Sequence, residues 1–176
     1  MIIQFCGLSG SGKSTIAGRV KELLAEKNIP VEIIDGDEYR KVLCADLGFS
    51  REDRNTNIRR LAFVASKLSS YNIITIICAI NPYESVREEV KATYPNVTTV
   101  FIDCGLDELI KRDTKGLYKK ALLPHGHPDK VNNLTGVNDP FDVPENPDLI
   151  IRSDTEDVEK SVEKLIVFIL SEYQSA

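Results

Sequence analysis

Apolar positions recur along this chain with two different periods. Short apolar runs bounded by Gly, Pro or Asn alternate with longer stretches whose apolar residues fall three and four apart. A parallel sheet covered by helices produces that alternation, because each strand-to-strand crossover carries a helix. The strands read as Met1 to Cys6, Val31 to Ile34, Ile73 to Ala79, Val97 to Ile102 and Leu149 to Arg152. The third is apolar on both faces, as a central strand must be. Helices are expected over Ser14 to Lys27, with Ile16, Val20, Leu23 and Leu24 on one stripe, and over Arg54 to Tyr71, where Ile58, Leu61, Ala62, Ala65 and Leu68 share a face. Tyr83 to Tyr94, a short Leu106 to Arg112, and Glu156 to Tyr173 complete the set. The last would bury Val158, Val162, Leu165, Ile166 and Ile169.

One stretch follows neither period. Residues 113–147 mix Gly, Pro, basic and amide side chains over a length well beyond the usual connection of about 4 to 6 residues, which marks a lid. The whole chain, 176 residues against a prior of roughly 150 per domain, then reads as a single domain, 1–176, carrying that lid.

Composition narrows the classes. Asp and Glu outnumber Lys and Arg 27 to 22, and a net charge of -5 argues against a nucleic-acid partner gripped by bulk positive charge. Any anionic ligand must be held by local groups. No apolar run approaches the ~20 residues of a membrane span, and the first residues lack a basic region followed by a cleavage site. Cys6, Cys44, Cys78 and Cys104 stand singly, with no CxxC pair, so reduced and mostly buried thiols in a cytoplasmic protein are expected. His125 and His127 share one loop but lack a third ligand at useful spacing, which leaves no metal reading there.

The strongest local signal is Gly7-Leu8-Ser9-Gly10-Ser11-Gly12-Lys13-Ser14, which fits GxxxxGK[ST] directly after a strand and before a helix. Backbone N–H groups freed by Gly7, Gly10 and Gly12, with Ser11 between them, converge on phosphate oxygens at the positive end of the helix. Lys13 would reach the β and γ phosphates of ATP, Ser14 would ligate Mg²⁺ through its hydroxyl, and Thr15 would contact phosphate nearby. A GTPase reading lacks its NKxD guanine clamp. A small-molecule kinase fits better, since Asp35-Gly36-Asp37 puts two carboxylates at the end of the next strand, facing an acceptor.

Further blocks make the reading specific. DGDEYR (35–40), LGFSREDRNTNIRR (47–60), INPY (80–83), KGLYKKA (115–121) and LTGVNDPFDVPE (134–145), with the phosphate loop, resemble adenylylsulfate kinase over nearly the whole chain. The resemblance implies a three-layer α/β P-loop fold with a five-stranded parallel sheet, a mobile lid and a homodimer. It implies transfer of the ATP γ-phosphoryl group to the 3′-hydroxyl of adenosine 5′-phosphosulfate (APS), giving 3′-phosphoadenosine 5′-phosphosulfate (PAPS) and ADP. APS would come from a separate ATP sulfurylase, the chain being about as long as the kinase alone requires.

By the same resemblance Asp37, Arg40, Phe49, Arg54, Asn57, Ile80, Asn81 and Lys115 line the APS site, and Arg112, Thr155 and Glu156 lie by the ATP nucleotide. The residue types suit the ligand. Guanidinium forks at Arg40 and Arg54 match the oxygens of a phosphate-sulfate anhydride. Phe49 would stack on adenine, a contact worth about 1–3 kcal/mol. Arg59 and Arg60 read as a solvated helix face. Asp35 is the expected catalytic carboxylate, orienting the 3′-hydroxyl and taking its proton late, with Lys13, Lys115 and Mg²⁺ stabilising developing charge.

Two positions depart from the family pattern. Asn81 stands where relatives often carry a Ser before Pro-Tyr, and an amide cannot form a phosphoserine, so transfer must be direct. Leu134 stands where an aromatic usually closes the adenine sandwich, a loss of about 0.5–1.5 kcal/mol, or roughly 2- to 12-fold in affinity. Two other readings stay open, another small-molecule P-loop kinase and a catalytically silent nucleotide-binding module.

Overall fold

A computed structural model describes residues 1–174 of the chain. Five parallel strands, β1 (Ile2–Cys6), β2 (Val31–Asp35), β3 (Ile74–Cys78), β4 (Val97–Asp103) and β5 (Leu149–Arg152), form one sheet in the order β2-β3-β1-β4-β5. Both faces of β1 and β3 are buried, as the unbroken apolar runs require. Alternate side chains go to opposite faces. Ile3 and Phe5 pack with α1 (Lys13–Ala25) and α7 (Val158–Gln174), while Ile2, Ile34 and Ile77 pack with α3 (Arg51–Ser69) and α4 (Glu84–Thr93). The result is the expected three-layer α/β arrangement.

The helices fall on their sequence stripes, with ends set by side chains rather than by apolar period. α3 starts three residues before the apolar stripe suggests, because the Ser50 hydroxyl accepts the Asp53 N–H at 3.1 Å and caps it. α7 starts at Val158 rather than Glu156, where the Asp157 carboxylate accepts the Lys160 N–H at 2.7 Å. Val158 itself is 44% exposed, so the buried stripe begins at Val162.

Three short helices lie beside the sheet. α5 (Leu106–Arg112) matches expectation, while α2 (Gly36–Tyr39) and α6 (Leu117–Ala121) were not legible as periods. α6 lies inside the segment expected to be irregular, so the segment 113–147 is partly ordered. It has its own apolar cluster, in which Leu109, Tyr118, Ala121 and Leu134 are buried and Leu8 of the phosphate loop packs against them. Gly136 lies so close to Leu8, at φ 85°, that a Cβ there would sit 2.6 Å from the Leu8 side chain. All four cysteines are free and buried, and among the described residues no helix is long and apolar enough to cross a membrane.

Candidate active site

The carboxyl ends of β1, β2 and β3 open onto a cleft of about 270 Å³. Ligands of open parallel sheets sit in such crevices, because loops leave the strands there and helix N-termini point into them. The glycine-rich loop connects β1 to α1. Gly7 adopts φ 152°, and a Cβ on it would lie 2.5 Å from the Ile102 carbonyl oxygen, so no other residue fits. Its N–H donates to the Ile80 carbonyl at 3.1 Å, tying the loop to the end of β3.

Lys13, the first residue of α1, is buried and donates its ammonium to the carbonyl oxygens of Gly7 (2.8 Å) and Leu8 (2.7 Å), with Ser11 Oγ at 3.3 Å. Burial lowers its pKa to about 8; Lys115 pushes the same way, while Cys78, Cys6 and Asp37 oppose. Gly10, Gly12, Ser14 and Thr15 also line the cleft, and Ser11 lies behind it, fully buried.

At the end of β2, Asp35 uses both oxygens. Oδ1 accepts the N–H groups of Asp37 (2.9 Å) and Glu38 (3.4 Å), capping α2, and Oδ2 accepts the Ser14 hydroxyl at 2.9 Å. A hydroxyl and a carboxylate side by side at the phosphate cradle form a hard-oxygen pair that suits Mg²⁺, which takes one or two protein oxygens and completes its shell with phosphate and water. Among the described residues no group of three or more His, Cys, Asp or Glu is placed to hold a metal ion.

The far wall of the cleft carries the remaining cations. Arg40 donates to the Gly48 carbonyl (2.9 Å) and lies 4.7 Å over the Phe49 ring. Arg54 is buried and donates from Nε to the Phe49 carbonyl (2.9 Å) and from Nη2 to the Asn133 carbonyl (2.7 Å). Its Nε lies 3.2 Å from Asp139 Oδ2, and its guanidinium 5.5 Å from the Phe49 ring. Phe49 is 53% exposed, so the ring expected to stack on adenine is held by two guanidinium groups. Lys115 pairs with Asp37, joining the lid to α2. Asn57, Ile80 and Asn81 complete the wall. Arg59 and Arg60 sit outside it in surface pairs with Glu89 and Asp46, the solvated face expected.

Besides Gly7 and Ser11 of the phosphate loop, four expected site residues do not line this cleft. Leu134 is 5% exposed and belongs to the lid's apolar cluster, because its side chain packs inward with Leu109 and Tyr118. Arg112 donates to Glu108 and to the Ser153 carbonyl (2.8 Å), beside the loop after β5 that holds Thr155. Glu156 binds Lys164 at 2.5 Å and so faces α7. Sequence reasoning also passed over Tyr118, whose buried hydroxyl donates to the Ser9 carbonyl of the phosphate loop at 2.8 Å. Its signal was its place in KGLYKKA. Thr114 and Cys78, which line the cleft, had none.

Comparison with known proteins agrees with this geometry. The sequence profile of the family described as adenylylsulphate kinase matches residues 1–152. An adenylyl-sulfate kinase of Deinococcus deserti is 44% identical over 165 residues, 94% of this chain and 88% of that protein. A Sorangium cellulosum protein named a probable bifunctional SAT/APS kinase is 41% identical over 94% of this chain, which spans 28% of that protein. The solved structure of a Mycobacterium tuberculosis APS kinase in complex with AMPPNP and APS superimposes with a TM-score of 0.85 at 35% identity, covering 96% of each chain.

Proposed function

The chain belongs to the adenylylsulphate kinase family, and on that premise we propose how its cleft performs ATP-dependent phosphorylation of APS to PAPS. The observation that carries the assignment of roles is the meeting, in one cleft, of the Lys13 loop with the Asp35 carboxylate and the Arg40, Phe49 and Arg54 group. ATP lays its phosphates on the loop's N–H groups and exchanges them for the carbonyls that hold Lys13. APS lies along the far wall, its phosphosulfate on Arg40 and Arg54 and its base against Phe49.

Transfer forms a bond from the APS 3′-oxygen to the γ-phosphorus and breaks the bond to the β–γ bridging oxygen of ATP. Asp35 orients the hydroxyl and receives its proton, while Lys13 and Lys115 offset charge on the transferring group. Ser14 and Asp35 would hold Mg²⁺, which supplies charge neutralisation on the phosphates when bound. Asn81 forms no phosphoryl ester, so transfer is direct and in line. The nucleotide end of ATP extends toward Arg112 and the loop holding Thr155, outside the cleft. The homodimer belongs to the same proposal and rests on the family resemblance. The separate ATP sulfurylase rests on the same resemblance, whereas the name of the Sorangium cellulosum relative joins SAT and APS kinase in one protein.

A coupled ADP-release assay with APS beside AMP, shikimate and gluconate tests the reading. Turnover with APS is expected. Turnover with another acceptor and none with APS points to a different small-molecule kinase, and tight nucleotide binding without turnover points to a silent module.

A further inference from the structure

Strand β1 is buried along its whole length, yet its middle residue is an amide. Gln4 has 0% exposure, and a buried amide is tolerated only when its hydrogen bonds are made. Its Nε2 donates to the Arg87 carbonyl of α4 at 3.0 Å and to Thr99 Oγ1 of β4 at 2.9 Å. A backbone carbonyl only accepts, so the nitrogen end of Gln4 must face Arg87 and its oxygen must face away. That oxygen accepts from Asn81 Nδ2 at 3.1 Å. The order of donors along the chain is therefore fixed by its far end.

Asn81 is held just as firmly through its backbone. It is 1% exposed and adopts φ 48°, a left-handed conformation that Asn tolerates. Its carbonyl oxygen accepts from Arg87 Nη1 at 2.7 Å. Arg87, with 0% exposure, also binds the Glu84 carboxylate and the Asp142 carbonyl (2.6 Å), at the end of the lid. What remains is Asn81 Oδ1, a buried acceptor without a hydrogen-bond partner on a residue that lines the cleft. Asn57 Oδ1, on α3, is a second. Anions satisfy the cleft's cations but cannot satisfy these oxygens, whereas a nucleoside brings hydroxyl and amino donors. An acceptor left unpaired in a protein interior is costly, which gives such a donor a reason to bind there.

We propose that Gln4 and Arg87, neither of which lines the cleft, are positioning residues that turn the Asn81 amide nitrogen inward and reserve its carbonyl oxygen as the hydrogen-bond acceptor for an O–H or N–H of the acceptor nucleoside. This rests on the APS reading of the cleft. It makes the nucleoside donor, and not only the phosphosulfate, a determinant of which acceptor binds.

Calorimetric titration in the presence of ADP tests it, with APS and its 2′-deoxy, 3′-deoxy and 6-deamino analogues against wild type and Asn81→Ala. The expected result is a rise of about 2- to 12-fold in the APS Kd on Asn81→Ala. That penalty vanishes for the one analogue lacking the donor, which identifies the donor. Gln4→Met, which keeps the length but offers no oxygen to Asn81 Nδ2, is expected to reproduce the loss without changing ADP affinity and to add nothing to Asn81→Ala. If Gln4→Met does not fold, Gln4→Asn draws the amide back by one methylene from Asn81 Nδ2 and is expected to raise the APS Kd; an unchanged Kd there overturns the positioning role. An unchanged Kd in Asn81→Ala, or an equal penalty for APS and all three analogues, overturns the proposal while wild-type turnover of APS leaves the family reading standing. Wild type that neither binds nor turns over APS overturns both.

Discussion

Asp35 does two jobs with one carboxylate, and a single substitution separates them. Asparagine caps helix N-termini about as well as aspartate, so Asp35→Asn keeps α2 while removing the charge beside Ser14. Steady-state kinetics are expected to show kcat lowered by about 10² to 10⁴ with ATP binding nearly intact, and near-normal kcat would remove Asp35 from the mechanism. Lys13 sets the pH response. With a pKa held at about 8 by burial, it carries its proton throughout binding below that pH, and ATP affinity there is insensitive to its titration. Above it, a phosphate beside the amine raises the pKa and binding takes up a proton, so affinity falls as pH rises. Calorimetry in buffers of different ionisation enthalpy should detect proton uptake at pH 9 and none at pH 6.5; the same value at both removes Lys13 from the linkage. Lys13 was legible in the sequence because the phosphate loop is a local motif, and Asp35 because it ends the next strand. The Arg54–Asp139 contact was not, since it depends on how the lid returns to α3.

At the scale of elements, period alone found every long helix and all five strands, because each repeats its apolar pattern for at least one strand length or several turns. α2 and α6, of four and five residues, are too short to display a period. The ends of α3 and α7 moved for a different reason, being set by the caps Ser50 and Asp157. The lid shows what an element hides from a residue-by-residue reading. Leu134 occupies a position where the family resemblance implies an aromatic against adenine, and from that resemblance alone Leu134→Phe should tighten APS binding. Packed beside Leu109, Tyr118 and Ala121, it has no space for a larger ring. Leu134→Phe is therefore expected to lower stability by about 1–3 kcal/mol by thermal or denaturant unfolding, without lowering the APS Kd. A stable variant with tighter APS binding would show that the ring reaches the cleft instead.

Across the whole molecule the net charge of -5 coexists with a cleft whose cations already have oxygen partners within the chain. Lys13 has the loop carbonyls, Arg40 has Gly48, Arg54 has Asp139 and Asn133, and Lys115 has Asp37. Three of these contacts join residues 113–147 to the rest of the fold, so anionic ligands compete with that segment for the same groups. Asp139→Asn removes the charge on one tie and is expected to speed limited proteolysis within 113–147, with ADP and APS slowing it again. Cleavage at the wild-type rate would mean that the pair does not hold the lid. The contact between Leu8 and Gly136 reaches beyond any single experiment. A side chain gained at 136 meets two separate obstacles, the left-handed backbone at φ 85° and the end of the Leu8 side chain, and a smaller residue at position 8 would relieve only the second.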